Sequence, residues 1–175
     1  QNTITLIAPS KTYNIAGLEA SVVIIPNETL RKKYFEAAHG IMGGVNLLGQ
    51  TAALAAYRDG QPWLEALIQY LEANRDYLVD FVKNELPNVH MGVPEATFLG
   101  WLDCRETGIE GSPHKFFLEK ARVALGSGEG FGKGGEGFVR LNFGCTRKTL
   151  AEGLNRMKQA LEEHQKIPYG AAPIR

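Results

Sequence analysis

The sequence is poor in the residues that build metal centres and disulfide scaffolds. Its 175 residues include only two cysteines, Cys104 and Cys145, and four histidines. Two cysteines cannot make a disulfide framework. Each ends an apolar, strand-like run, so both are expected as reduced thiols, buried or half-buried, in a cytoplasmic protein. His39, His90, His114 and His164 have no Cys or His partner at ligand spacing, and no metal site is expected. Net charge is lacking too. Nineteen basic residues balance nineteen acidic ones, so no overall field draws the chain to nucleic acid or an acidic membrane. The apolar runs are too short to cross a bilayer, no cleavable signal begins at Gln1, and no internal repeat is visible. The chain opens with Gln1 almost directly on a strand, which suggests part of a longer protein.

What is present begins at Thr3–Ile7, where polar and apolar residues alternate as in a strand. Pro9 stops that ladder and leaves Lys11 on a loop, beside Ser10 and before the small-residue stretch Ile15-Ala16-Gly17. A lysine in a turn is most often a plain surface residue. Held there and partly desolvated, it can instead lose its proton and form a Schiff base with an aldehyde.

A second constellation lies near the other end. Gly126 to Gly137 is glycine-rich, and Gly130, Gly132 and Gly135 satisfy a G-x-G-x-x-G spacing. A strand follows instead of a helix, which contradicts a dinucleotide-binding loop, and no Gly-Lys-Ser/Thr is present for a P-loop. The stretch reads as a flexible loop that passes close to a ligand and orders around it. Arg140 then interrupts the apolar strand Phe138–Phe143. A guanidinium in such a strand needs an anion, either an internal Asp or Glu or the carboxylate of a ligand.

Between these lie Val22–Ile25, a continuous apolar run suited to a strand buried in a mostly parallel sheet, and a helix capped by Asn27 and closed by Gly40. An alanine-rich helix is predicted over about Val45–Arg58, with Leu47, Leu48 and Leu54 seeking close packing. The longest helix runs from Pro62 to about Leu86, with Leu64, Leu67, Leu71, Leu78 and Val82 in one stripe. Short strands follow, with a helix near Pro113–Ala124. A last helix has Thr149 and Glu152 in capping-box spacing and Leu150, Leu154, Met157 and Leu161 facing inward. Ile167–Arg175 is expected as a fraying or extended tail.

Ala8-Pro9-Ser10-Lys11-Thr12-Tyr13-Asn14-Ile15-Ala16-Gly17-Leu18 closely resembles the cofactor-lysine segment of fold-type I pyridoxal-phosphate enzymes, in the branch of MalY/PatB-type cystathionine β-lyases. Arg140-Leu141-Asn142-Phe143-Gly144-Cys145 resembles the segment of the same branch whose arginine binds the substrate's α-carboxylate. The resemblance implies an α/β fold. Residues 1–61 would end the large parallel-sheet cofactor domain, 62–86 would be a connecting helix, and 87–175 a small C-terminal α+β domain. It further implies pyridoxal 5'-phosphate as cofactor, Lys11 as catalytic and cofactor-binding residue, Ser10 as a phosphate contact and Arg140 as the substrate-binding residue. A homodimer and a small amino-acid substrate are implied as well. The activity implied is C–S β-lysis of cystathionine-like amino acids to thiol, ammonia and pyruvate, with aminotransferase as the alternative. Two features depart. Glu19 stands where many superfamily members carry a phosphate-binding arginine, and the residues that hold the pyridine ring in the family would lie upstream of Gln1, so an inactive fragment is the third alternative.

Overall fold

The computed structural model describes residues 2–166, and the expected tail at 167–175 lies outside them. Two compact units divide at Ile68/Gln69, inside the longest helix.

In the first unit, β1 (Thr5–Ile7) pairs with β2 (Val22–Ile24) in antiparallel register, Leu6 opposite Val23. This corrects the expectation of a strand buried in a parallel sheet: Val22 and Ile24 are exposed, and only the flanking Ala20 and Ile25 are buried. A continuous apolar run does not encode strand direction. The helix α1 (Glu28–Ala38) starts where Asn27 accepts a hydrogen bond from the Leu30 backbone, and it ends at His39, one residue before the expected Gly40. Asn46 caps α2 (Leu47–Asp59) in the same way, accepting from Gly49 N at 2.8 Å. Leu47, Leu48 and Leu54 of α2 are all exposed. The long helix α3 (Gln61–Glu85) follows after Gly60.

The second unit holds the main core. Four antiparallel strands, β3 (His90–Met91), β4 (Leu99–Asp103), β5 (Gly126–Ser127) and β6 (Phe138–Asn142), lie in the order β3-β4-β6-β5. One face of β4 and β6 supplies Leu102, Val139 and Leu141 to a cluster with Leu78 and Val82 of α3 and Leu150, Leu154, Met157 and Leu161 of α5 (Arg147–Lys166). The stripe of α5 therefore faces inward as its spacing predicts. Its cap differs: Thr146, not Thr149, accepts the bond from Thr149 N at 3.2 Å, because the helix begins one turn earlier. The predicted helix near 113–124 is a single α-turn, α4 (Pro113–Phe116), continued by a π-helical turn over Phe117–Ala121 that ends on left-handed Arg122. Fully buried Phe117 anchors that turn in the core.

Candidate active-site elements

Lys11 follows β1 on a folded turn. Tyr13 N donates to Pro9 O and Ile15 N to Ser10 O, each at 2.9 Å, while Asn14 takes a left-handed φ of 54°. This wraps one helical turn and ends it as helix C-termini commonly end, with Asn supplying the left-handed residue. Pro9 is fully buried beneath the turn. Tyr13 fixes its far side, stacking on Trp63 at 6.4 Å and meeting Tyr57 edge-on at 5.8 Å. The next turn is tied by Asn46 Nδ2, which donates to Leu18 O at 3.0 Å. Lys11 and Ser10 thus stand together on a braced loop. Lys11 is exposed, which corrects the expectation of a partly desolvated amine, and Ser10 is half-buried. Lys11 has no ion pair and the Ser10 hydroxyl no hydrogen bond among the described residues. Glu19, also left-handed, closes the following turn with its N–H on Ala16 O.

Arg140 belongs to the second unit, at the centre of β6. The alternation of that strand puts Val139 and Leu141 in the core and Phe138, Arg140 and Asn142 on the opposite face. Trp101 of β4 is directly opposite Arg140 on one side and Gly126 of β5 on the other. A Cβ at Gly126 would come within 3.3 Å of Arg140 Cβ and 3.4 Å of its Nε, so the bare glycine gives the arginine side chain room to lie along the sheet. The Arg140 guanidinium carbon stands 4.9 Å over the Phe131 ring. Phe131 meets Trp101 edge-on at 5.4 Å, and Trp101 stacks on Phe138 at 5.6 Å.

A second arginine makes the contrast. Arg105 also sits over an aromatic ring, that of Phe138, at 4.7 Å, but it grips Asp103 with Nε at 2.9 Å and Nη2 at 2.6 Å. That fork holds the Asp103 carboxyl below the usual carboxylate range, and the same hydrogen bond raises the Arg105 guanidinium, which keeps its proton the more firmly against base. Arg140 has no carboxylate partner among the described residues. The internal ion pair that could have satisfied it is absent from the described residues.

The glycine-rich loop between β5 and β6 is folded, not slack. Consecutive turns run Gly132 N to Glu129 O, Gly135 N to Gly132 O and Phe138 N to Gly135 O. Gly128 and Gly135 approach so closely that a Cβ on Gly128 would lie 2.2 Å from Gly135 O. The loop therefore does not await a ligand for its order. It also leads into the strand β6, where a dinucleotide-binding loop would open a helix.

Just beyond the strand that carries Arg140, the chain is tied down by a residue the sequence did not single out. Asn74 of α3 is fully buried; its Nδ2 donates to Phe143 O at 3.1 Å and Cys145 O at 2.9 Å, and its Oδ1 accepts from Arg147 Nε at 2.8 Å. The signal was present: Asn74 falls in the apolar stripe, seven residues after Leu67 and four before Leu78, where a polar side chain has to find buried partners. Phe131 lies in the glycine-rich stretch and Trp101 in one of the short strands. Neither spacing nor composition links them to Arg140.

The sequence pattern of the family described as Aminotransferase class I and II matches residues 1–157. The chain belongs to that family. Cystathionine beta-lyase PatB of Bacillus subtilis (strain 168) is 45% identical over 160 residues, covering 90% of this chain and 41% of PatB. A crystal structure of a putative PLP-dependent beta-cystathionase from Corynebacterium diphtheriae superposes with a TM-score of 0.86 at 42% identity, over 91% of this chain and 42% of that one. An aspartate aminotransferase of Pyrococcus horikoshii is 30% identical, over 93% of this chain and 42% of its own length. The fold is thus that of the aspartate-aminotransferase-like enzymes, and the chain spans about two fifths of the length of the relatives it matches.

Proposed function

We propose that this chain carries the cofactor lysine and the substrate arginine of a pyridoxal-phosphate-dependent C–S β-lyase, which converts cystathionine-like sulfur amino acids into thiol, ammonia and pyruvate. In this reading residues 1–61 complete the large cofactor domain, 62–86 connect, and 87–175 form the small domain. The observation that carries it is Arg140, a planar cation fixed on a sheet face with no carboxylate of its own among the described residues. A fork of this kind binds a carboxylate bidentately.

The residues present fit the cofactor's reactive end. Lys11 offers an exposed primary amine without an ion pair among the described residues, and the Ser10 hydroxyl beside it is open to a phosphate oxygen. Glu19 stands in place of the arginine common elsewhere, so that phosphate contact is not carried over and Ser10 is the local hydroxyl for it. When bound, the cofactor supplies an aldehyde for Lys11 and a conjugated ring that accepts the electrons released at Cα. Arg140 would anchor the substrate carboxylate and so restrict how the substrate's Cα is oriented. The Lys11 amine would serve as the base for the α-proton. Departure of the β-sulfur as thiol would leave an enamine, which water hydrolyses to pyruvate and ammonia.

Aminotransfer is the second reading, favoured by the family description and the Pyrococcus relative, and it uses the same two residues. The exposed leucines of α2 support a homodimer, and the paucity and burial of cysteine support a cytoplasmic setting. Incubating the complete, cofactor-loaded protein with cystathionine separates the readings. Pyruvate and thiol without an added keto acid are expected; amino transfer only upon adding a keto acid would establish the second reading, and neither product would establish a silent chain.

A further inference from the structure

Arg140 and Arg105 sit on the same sheet face over neighbouring aromatic rings, yet they are held in different ways. Arg105 is gripped by Asp103, which neutralises it. Arg140 is held by Phe131, whose ring attracts a cation through its quadrupole and accepts none of its N–H groups as a carboxylate would. The ring is itself oriented, edge-on against Trp101, and Trp101 in turn is stacked on Phe138. On the far side Gly126 presents no side chain. Phe131 nonetheless remains 58% exposed, a large apolar side chain with little core role. The close backbone approach of Gly128 to Gly135 fixes the turn Gly128–Phe131 that carries it.

We infer that Phe131 is a positioning residue for substrate binding: it holds the Arg140 fork in one orientation while leaving its charge and donors available to a carboxylate. This rests on the reading of Arg140 given above. A free arginine loses considerable rotamer freedom when it captures a ligand, and a ring that restricts it beforehand removes part of that cost. The chemistry requires an aromatic face, not mere bulk, at position 131. Tyrosine satisfies it; leucine does not.

The test uses the complete, cofactor-loaded enzyme with steady-state kinetics on its sulfur amino-acid substrate. Phe131→Ala and Phe131→Leu should each raise KM about three- to thirty-fold, the range a cation–π contact spans, with kcat changed less than about twofold. Phe131→Tyr should restore the wild-type KM. Cofactor affinity, followed by absorbance, should be the same in all variants, and so should the thermal midpoint, given the exposure of the ring. A wild-type KM in Phe131→Leu would overturn the proposal, because bulk alone would then suffice. So would a fall in kcat at constant KM. Arg140→Ala, assayed alongside, keeps two failures apart. If it raises KM while Phe131→Ala does not, the role of Phe131 falls and the Arg140 reading stands. If neither raises KM, both fall.

Discussion

Two arginines that each lie over an aromatic ring are distinguished by their other partner. Arg105 meets Asp103 and Arg140 meets a ring, and that difference makes only Arg140 ready for a ligand anion. Replacing Arg140 by alanine in the complete enzyme should weaken productive substrate binding by about 2–3 kcal/mol, the lower part of the range for a charge pair because the guanidinium is only half-buried. The measurement is kcat/KM for the amino-acid substrate, with cofactor binding unchanged; an unaltered kcat/KM would contradict the assignment. The cysteines behave differently from reactive-site thiols. Burial pushes the Cys104 thiol up to about 12 and raises Cys145 more modestly, so neither holds thiolate character near neutral pH. Under native conditions at pH 8, an alkylating reagent should leave Cys104 unmodified until the protein unfolds. Rapid native labelling of Cys104 would show that its surroundings are more open than the fold indicates.

At the scale of elements, β6 shows how a strand serves both core and site. Its alternation sends Val139 and Leu141 inward and Arg140 outward, and a one-residue slip would reverse both. Asn74 guards that register by bonding the carbonyls of Phe143 and Cys145 just beyond the strand. Asn74→Leu should therefore destabilise the fold by about 2–4 kcal/mol, since two largely buried carbonyls lose their donor and Arg147 its acceptor. Chemical denaturation measures this, and a change below 0.5 kcal/mol, roughly the noise of a surface substitution, would refute it. Helices were legible from sequence because spacing and caps are local: the Asn27 cap and the α5 stripe stand where side-chain chemistry puts them, whereas the start of α2 was placed at Val45, before its actual cap Asn46. What was not legible depends on residues far apart in the chain. The direction of β2, the exposure of Lys11 and the seat of Phe131 over Arg140 are set by tertiary neighbours. Thr146 was missed as a cap because two threonines three residues apart offer the same signal, and only the first turn of the helix chooses between them.

At the scale of the whole molecule, the two units carry different chemistry and different cores. The unit over 69–175 contains the contiguous apolar cluster that fixes Arg140, whereas the unit over 1–68 presents Lys11 on a loop braced by Tyr13 and leaves Leu47, Leu48 and Leu54 in contact with water. The family match runs across both units, and it is the pairing of a lysine loop with an uncommitted arginine that gives the chain its proposed role. The central claim is that Lys11 is the residue on which the cofactor is carried. Reducing the complete, cofactor-loaded protein with borohydride and mapping the modified peptide by mass spectrometry tests it most directly. A single covalent cofactor adduct is expected on the peptide containing Ser10-Lys11-Thr12, abolished in Lys11→Ala; an adduct on any other lysine, or one that survives that substitution, would contradict the assignment of Lys11.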